Sequence, residues 1–275
     1  MQDYIVGFLD GYKSVKLYYK FYPAGDAAVR IIFLHGAGEY SEKYSRFAEW
    51  FSARGVDVYL LDLRGHGRSA GPVCHVNDFN DYALDLDIFV RFIEKGWGDK
   101  KTFLAAPSLG GLIAMFYSLK FSYAFKGIIA CSPCLGLRLK IEPVKAWLAD
   151  IFNKILADKP FSSNIRPSMA THDRYIIEKF GKDPLIHHMV TASFYVQMKK
   201  AMRYLMEHAA DLKSRIFILQ AQDDKICDVK VVEKFYNLIG SNDKKFRLYP
   251  GFYHELLNEV KREEPYNDIY NWITV

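Results

Sequence analysis

The sequence predicts an α/β protein built on a mostly parallel sheet with helices on both faces, and three observations predict it. Short apolar runs at 29–34, 56–62, 101–106, 126–132 and 215–220 alternate with stretches of helical periodicity, the rhythm of repeated βαβ units. The runs are nearly continuous in apolar residues, as strands covered on both faces require. The rhythm also stops for about eighty residues, roughly 133–212, and then resumes, which marks an insertion into one fold.

The opening segments YIVGFL and VKLYYKFY are rich in β-formers, with Asp10-Gly11 in the connection, and read as a hairpin forming an antiparallel edge. VRIIFL (29–34), a helical stretch near 42–54, and VDVYLLD (56–62) follow. A long helix near 78–95, the strand KTFLAA (101–106), a helix opening at Leu109 and the strand KGIIACS (126–132) continue the alternation. After the insertion come RIFILQ (215–220), a helix at 228–239 and FRLYP (246–250). The expected organisation is a core of residues 1–132 and 213–275 with a helical cap of residues 133–212 inserted between its parts.

Within the insertion, Val144, Trp147, Leu148, Ile151, Phe152, Ile155 and Leu156 recur at helical spacing and form a bulky apolar stripe. Phe194, Met198, Met202 and Leu205 repeat similarly between Thr191 and His208. Burial against a core explains such stripes, and a cap over a lipophilic site needs the same pattern. Trp147, Ile151 and Phe152 are the candidate substrate contacts.

Composition excludes several function classes. Half of the residues are hydrophobic and a quarter charged, which argues for a packed globular chain. The net charge is +5 with Lys and Arg scattered among Asp and Glu, so no basic stripe tracks a nucleic-acid backbone. Cys74, Cys131, Cys134 and Cys227 are too few for a disulfide scaffold, and the lone Cys131/Cys134 CxxC has no second ligand pair, so a metal is not expected. The start lacks a signal-like pattern, and the chain reads as cytoplasmic. No apolar run approaches the ~18 residues that cross a bilayer, so any membrane contact is expected to be peripheral.

The chemistry centres on LAAPSLGGL (104–112), where Ser108 stands between a buried strand and a helix with small Ala106 and Gly110 two positions either side. A nucleophile on a sharp strand-to-helix turn needs small neighbours, because larger side chains collide with adjacent backbone. Alone, such a serine is more commonly just an N-cap. Two downstream partners change the balance, in the order Ser, Asp, His and each after a strand. In AQDDKICD, Asp223, Asp224 and Asp228 compete for the acid; spacing prefers Asp224, with Asp223 second and Asp228 placed to cap a helix. His254 in YPGFYHELLNE follows the last strand and is the expected base. Adjacent His187 and His188 cannot easily face one site, His172 and His208 are expected on the surface, and His75 has no evident partner. The turn HGAGEY (35–40) lacks the third glycine of a dinucleotide fingerprint, with Ser41 at that position, but it suits an oxyanion hole made of the Ala37 and Leu109 N–H groups.

With these residues, the chain resembles the monoacylglycerol lipase and lysophospholipase branch of the α/β-hydrolases over nearly its whole length. HGAGEYSEKY, DLRGHGRSAG, SPCLGL, THDRYIIEKFGKDPL, QAQDDKICD and GFYHELLNE each resemble family segments. The resemblance implies an α/β-hydrolase fold with an eight-stranded sheet and a cap after strand 6. It implies Ser108 as nucleophile, Asp224 as acid, His254 as base, and Ala37 and Leu109 as oxyanion donors. It also implies a lipophilic ester substrate and no cofactor, with a short-chain esterase, a peptidase or a non-catalytic binding protein as the alternatives. Asp62, Arg64 and His66 read as loop-holding residues. The departure is at the turn, where the family's usual Gly-His-Ser-Met-Gly is replaced by Ala106-Pro107-Ser108-Leu109-Gly110. Pro107 has no N–H to give, whereas Leu109 keeps the donor that the chemistry uses.

Overall fold

The computed structural model describes residues 4–97, 100–121, 123, 125–138 and 157–275. Strands β1 (Ile5–Asp10), β2 (Lys16–Tyr22), β3 (Val29–Leu34), β4 (Val56–Leu61), β5 (Lys101–Pro107), β6 (Gly127–Cys131), β9 (Ile216–Ala221) and β10 (Lys244–Tyr249) form one sheet in the order β1-β2-β4-β3-β5-β6-β9-β10. β2 is antiparallel to both β1 and β4, and every other neighbouring pair is parallel. The hairpin, the parallel core and the eight-stranded count agree with the expected α/β-hydrolase fold. The hairpin connection is longer than its Asp-Gly suggests, because a 3-10 turn, Tyr12–Ser14, intervenes.

The continuous apolar runs have a direct cause. In β3, Ile32 and Leu34 face one core and Ile31 and Phe33 the other; in β9, Ile216 and Ile218 oppose Phe217 and Leu219. Successive side chains point to opposite faces, so burial of both faces demands apolar residues at every position. Helices α2 (Asn80–Trp97) and α3 (Ser108–Lys120) pack on the first face, while α1 (Ser45–Ser52) and the terminal helix Glu263–Thr274 pack on the second. Truncating Ile32 or Phe33 to Ala is expected to cost about 2–5 kcal/mol by the usual cavity relation. The terminal helix, with Tyr266, Ile269, Trp272 and Ile273 buried, is absent from the sequence reading, although its spacing is helical.

Between β6 and β9, the described residues form a small antiparallel pair, β7 (Pro160–Ser162) with β8 (Met189–Thr191), and the helices Pro167–Ala170, Arg174–Gly181 and Ala192–Glu207. Asp173 caps the second of these helices, and Thr191 caps the third through a 3.2 Å bond from the Phe194 N–H. Phe194, Met198, Met202 and Leu205 are buried as the periodicity expects, and this helix lies against α3. The helical stripe expected over 144–156, with Trp147, Ile151 and Phe152, lies outside the described residues. Among the described residues, no helix is long and apolar enough to cross a membrane.

Candidate functional site

Parallel strands deliver their carboxyl ends to one edge of the sheet, where the following loops converge. β3 leads into the turn 35–40, β5 into Ser108, β9 into Asp224, and β10 into His254. Ser108 opens α3 directly after Pro107, with φ of 50° in the left-handed region that a side chain adopts only under strain. Sequence placed the helix start one residue later; the strained residue is itself its first. A Cβ on Gly110 would stand 2.6 Å from the Leu34 carbonyl oxygen, so the turn and β3 meet there with no space for a side chain. Pro107 fits because it ends the strand in extended geometry, with φ of −83° and ψ of 154°.

The three competing aspartates have separate tasks. Asp228 accepts the Lys230 N–H at 3.0 Å and caps the helix Val229–Leu238. Asp223 accepts the Gly251 N–H at 3.0 Å. Asp224 is fully buried; its Oδ1 accepts the N–H groups of Ile226 and Cys227, each at 2.8 Å, and its Oδ2 lies 2.8 Å from His254 Nδ1. Burial opposes ionisation of Asp224, but the adjacent His254 and these donors outweigh it and hold the carboxyl below its ordinary range. Burial likewise opposes protonation of His254, yet the Asp224 charge and hydrogen bond push the imidazole up to about 9. Asp224, Cys227 and His254 offer ligand-type atoms within 4.8 Å of one another. Both Asp224 oxygens already accept hydrogen bonds and Nδ1 is turned onto one of them, so a hydrogen-bonded relay accounts for the cluster.

Ser108 and His254 line one cavity together with Ala37, Gly38 and Leu109. The turn 35–40 lies directly against the serine: a Cβ on Gly36 would come within 3.2 Å of Ser108 Cβ. His35 Nε2 accepts the Leu63 N–H at 2.9 Å, so the proton is on Nδ1, which donates to the Gly36 carbonyl at 2.7 Å. Glu39 accepts the Gly36 N–H at 2.7 Å and the Tyr44 hydroxyl at 2.7 Å. The residue between these anchors and Gly38 is Ala37. Leu109 is the second residue of α3, where an N–H has no acceptor within the helix and is free to meet an anion. Asp62 and Arg64 hold the flanking loop: Asp62 accepts from the Ser41 and Arg68 N–H groups, and Arg64 pairs with Asp81 and Asp85.

Most of the cavity is apolar, with Leu137, Phe161, Ile176, Phe194, Met198 and Ile226 among its walls. One sector is charged, where Lys43 lies between Glu39 and Glu255. Sequence reading missed this sector: Glu39 and Lys43 are four positions apart, but Glu255 meets Lys43 across 212 positions. His187 and His188 correct a second expectation: although adjacent, both line the cavity, because the irregular chain before β8 passes along its rim. His208 pairs with Asp211 at the surface, and His172 is partly exposed but held by Glu259. His75 is buried and contacts Thr191, which the fold brings from 116 positions away, and its near neighbour Asn77.

Comparisons with known proteins point the same way. A family model described as serine aminopeptidase, S33, matches residues 25–261. Phospholipase YtpA of Bacillus subtilis is 31% identical over 236 residues, covering 85% of this chain and 90% of that protein. Human monoglyceride lipase is 27% identical over 256 residues, covering 92% of this chain and 84% of its own length. Among solved structures, a soluble variant of the monoglyceride lipase of Saccharomyces cerevisiae, in complex with a substrate analogue, superposes with a TM-score of 0.85 at 23% identity. That match covers 99% of this chain and 94% of the other. A monoacylglycerol lipase of Paleococcus ferrophilus gives 0.83 at 23% identity, covering 94% and 98%.

Proposed function

This chain belongs to the serine aminopeptidase S33 family of α/β-hydrolases, and from that membership we propose that it cleaves carboxylic esters of lipophilic acyl chains, with monoacylglycerols and lysophospholipids as the substrate class. The observation that carries the reading is the 2.8 Å contact between Asp224 and His254 beside a cavity that also holds the strained Ser108. Similarity to proteins named phospholipase and monoglyceride lipase supports an ester over a peptide. The apolar walls support an acyl chain over a sugar.

In this reading His254 Nε2 takes the Ser108 hydroxyl proton as Oγ attacks the ester carbonyl carbon. The carbonyl oxygen becomes an oxyanion between the Ala37 and Leu109 N–H groups. Collapse breaks the bond to the alcohol oxygen, which receives the proton from His254 and leaves. Water, deprotonated by the same imidazole, then attacks the acyl-serine; the acid departs and the proton returns to Ser108. Asp224 keeps the Nδ1–H tautomer and stabilises the imidazolium.

The test is a panel of monoacylglycerols, lysophospholipids and short p-nitrophenyl esters with the unmodified protein and Ser108→Ala. Turnover rises with acyl length, a fluorophosphonate labels Ser108, and Ser108→Ala lowers kcat by several orders of magnitude. A flat dependence on acyl length would place the protein with short-chain esterases or peptidases. Absence of labelling would mark a non-catalytic binding protein.

A further inference from the structure

We propose that Gln220 is a positioning residue of the hydrolase, acting through Asp224: its side-chain amide holds Oδ2, the oxygen that faces His254, and takes up part of the charge which that oxygen presents to the imidazole. The inference rests on the ester-hydrolase reading above and adds a residue to its relay.

Gln220 is out of place by composition. β9 is buried along its whole length, and Ile216 and Ile218, which share a strand face with Gln220, belong to the first core. A fully buried amide is destabilising there unless its polar atoms are matched. The match is one-sided. Nε2 donates to the Ala221 carbonyl at 3.0 Å and to Asp224 Oδ2 at 3.3 Å, whereas Oε1 is buried and has no hydrogen-bond partner among the described residues. These two acceptors set the orientation of the amide, since flipping it turns Oε1 toward a carbonyl oxygen and a carboxylate oxygen at once. The side chain thus leaves a buried acceptor unmatched while both of its N–H groups point at the acid loop.

The contact falls on the oxygen that governs the base. Asp224 Oδ1 is fixed by the Ile226 and Cys227 N–H groups, each at 2.8 Å, so removing the amide changes the charge presented by Oδ2 more than the place of the carboxylate. Oδ2 meets His254 Nδ1 at 2.8 Å and Gln220 Nε2 at 3.3 Å, so the imidazole and the amide share one oxygen. A donor on a carboxylate oxygen disperses its negative charge and weakens the attraction left for a neighbouring cation. Without the amide, Oδ2 draws harder on the imidazolium, and His254 gives up its proton only at higher pH. The other titratable groups around His254 include Glu255, itself held by Lys43, and the Cys134 and Cys227 thiols, and a substitution at Gln220 leaves all of these in place. Gln220 is not among the residues lining the cavity, so an effect on turnover has to pass through Asp224.

The experiment follows octanoate release from 1-octanoylglycerol, kept below its micelle concentration, between pH 6 and 10 in the unmodified protein and in Gln220→Met. Methionine keeps the unbranched shape and removes the donor. The rising limb of kcat/KM is expected to move up by at least about half a pH unit, so that kcat/KM falls at least about threefold at pH 7 and returns to within about twofold of the unmodified value at pH 10. NMR titration of the His254 ring, with no substrate present, is expected to show the same upward displacement. Gln220→Leu repeats both measurements should the methionine variant not fold. A loss of equal size at every pH would mark Gln220 as structural only and overturn the proposal, and so would a His254 titration that is unmoved or lowered in a folded variant; both results leave the hydrolase reading standing. Absence of turnover in the unmodified protein overturns the hydrolase reading, and the ring titration then decides by itself whether Gln220 acts on His254.

Discussion

His187 donates its backbone N–H to the Gly38 carbonyl at 2.7 Å, and a Cβ on Gly38 would stand 2.2 Å from the His187 carbonyl oxygen. Two backbones distant in sequence are therefore stacked with no space for a side chain. The segment before β8 rests on the turn 35–40, so these two stretches of chain hold one another in place.

Gly38→Ala tests that coupling. Gly38 has φ of 73°, a conformation unfavourable for any residue with a Cβ, and the new methyl meets a backbone atom that cannot rotate away. Stability is expected to fall by more than about 1 kcal/mol. The kcat for a soluble ester is expected to fall at least about tenfold, because misplacing a catalytic group by ~1 Å costs up to ~10²-fold. Thermal unfolding and steady-state kinetics measure the two effects. A lowered melting temperature with unchanged kcat would separate the turn from the chemistry.

On the proposed mechanism, the pH profile follows from His254. A protonated imidazole cannot accept the Ser108 proton, so kcat/KM is expected to climb with pH through a folded-state pKa of about 9, well above the ordinary 6.5. The stability linkage has the opposite sign. A histidine raised in the fold stabilises fully below its unfolded pKa, and that contribution is lost as pH rises from 6.5 through about 9. Activity and this part of the stability therefore move in opposite directions across the same window. Activity that is flat from pH 6 to 9 would contradict the assignment.

Asp224→Asn removes the charge that raises His254 and leaves the residue nearly isosteric. The imidazole pKa is expected to move back down, shifting the rising limb of kcat/KM to lower pH, while kcat drops about 10⁴-fold by analogy with the same change in a Ser-His-Asp template. NMR titration of the His254 ring checks the first effect independently of the second. A variant retaining wild-type kcat would remove Asp224 from the mechanism.

The parallel core was legible because local composition reports it: an unbroken apolar strand such as β3 needs both faces covered, and the sheet provides both. Asp224 could be preferred from spacing after β9, since a loop acid must follow its strand. The assignment of Asp223 to the Gly251 N–H needed three-dimensional information. The Glu39, Lys43 and Glu255 sector was illegible for the same reason: Lys43 and Glu255 meet across 212 positions, and a lysine and a glutamate carry no local sign that they will be buried together. The passage of His187 and His188 along the cavity depends on an irregular segment, where neither helical nor strand periodicity predicts direction.

Acid stability depends on two other histidines. His35 and His66 are fully buried with rings 5.3 Å apart, and burial pushes them down to about 4 and about 3. Protonating His35 also removes the acceptor for the Leu63 N–H. Each stays neutral in the fold while its unfolded counterpart takes up a proton near 6.5, so stability falls as pH drops below 6.5. At pH 5 the loss is about 2 kcal/mol for each. His254 adds nothing in this window, since it is protonated in both states below 6.5. Asp62 and Asp85, raised by burial, act with the opposite sign and soften the decline at the acid end. Denaturant unfolding between pH 7 and 4.5 is expected to show the decline, and His66→Gln is expected to make it shallower even if that variant starts from a lower stability. An unchanged slope in His66→Gln would mean that some other group carries the acid sensitivity.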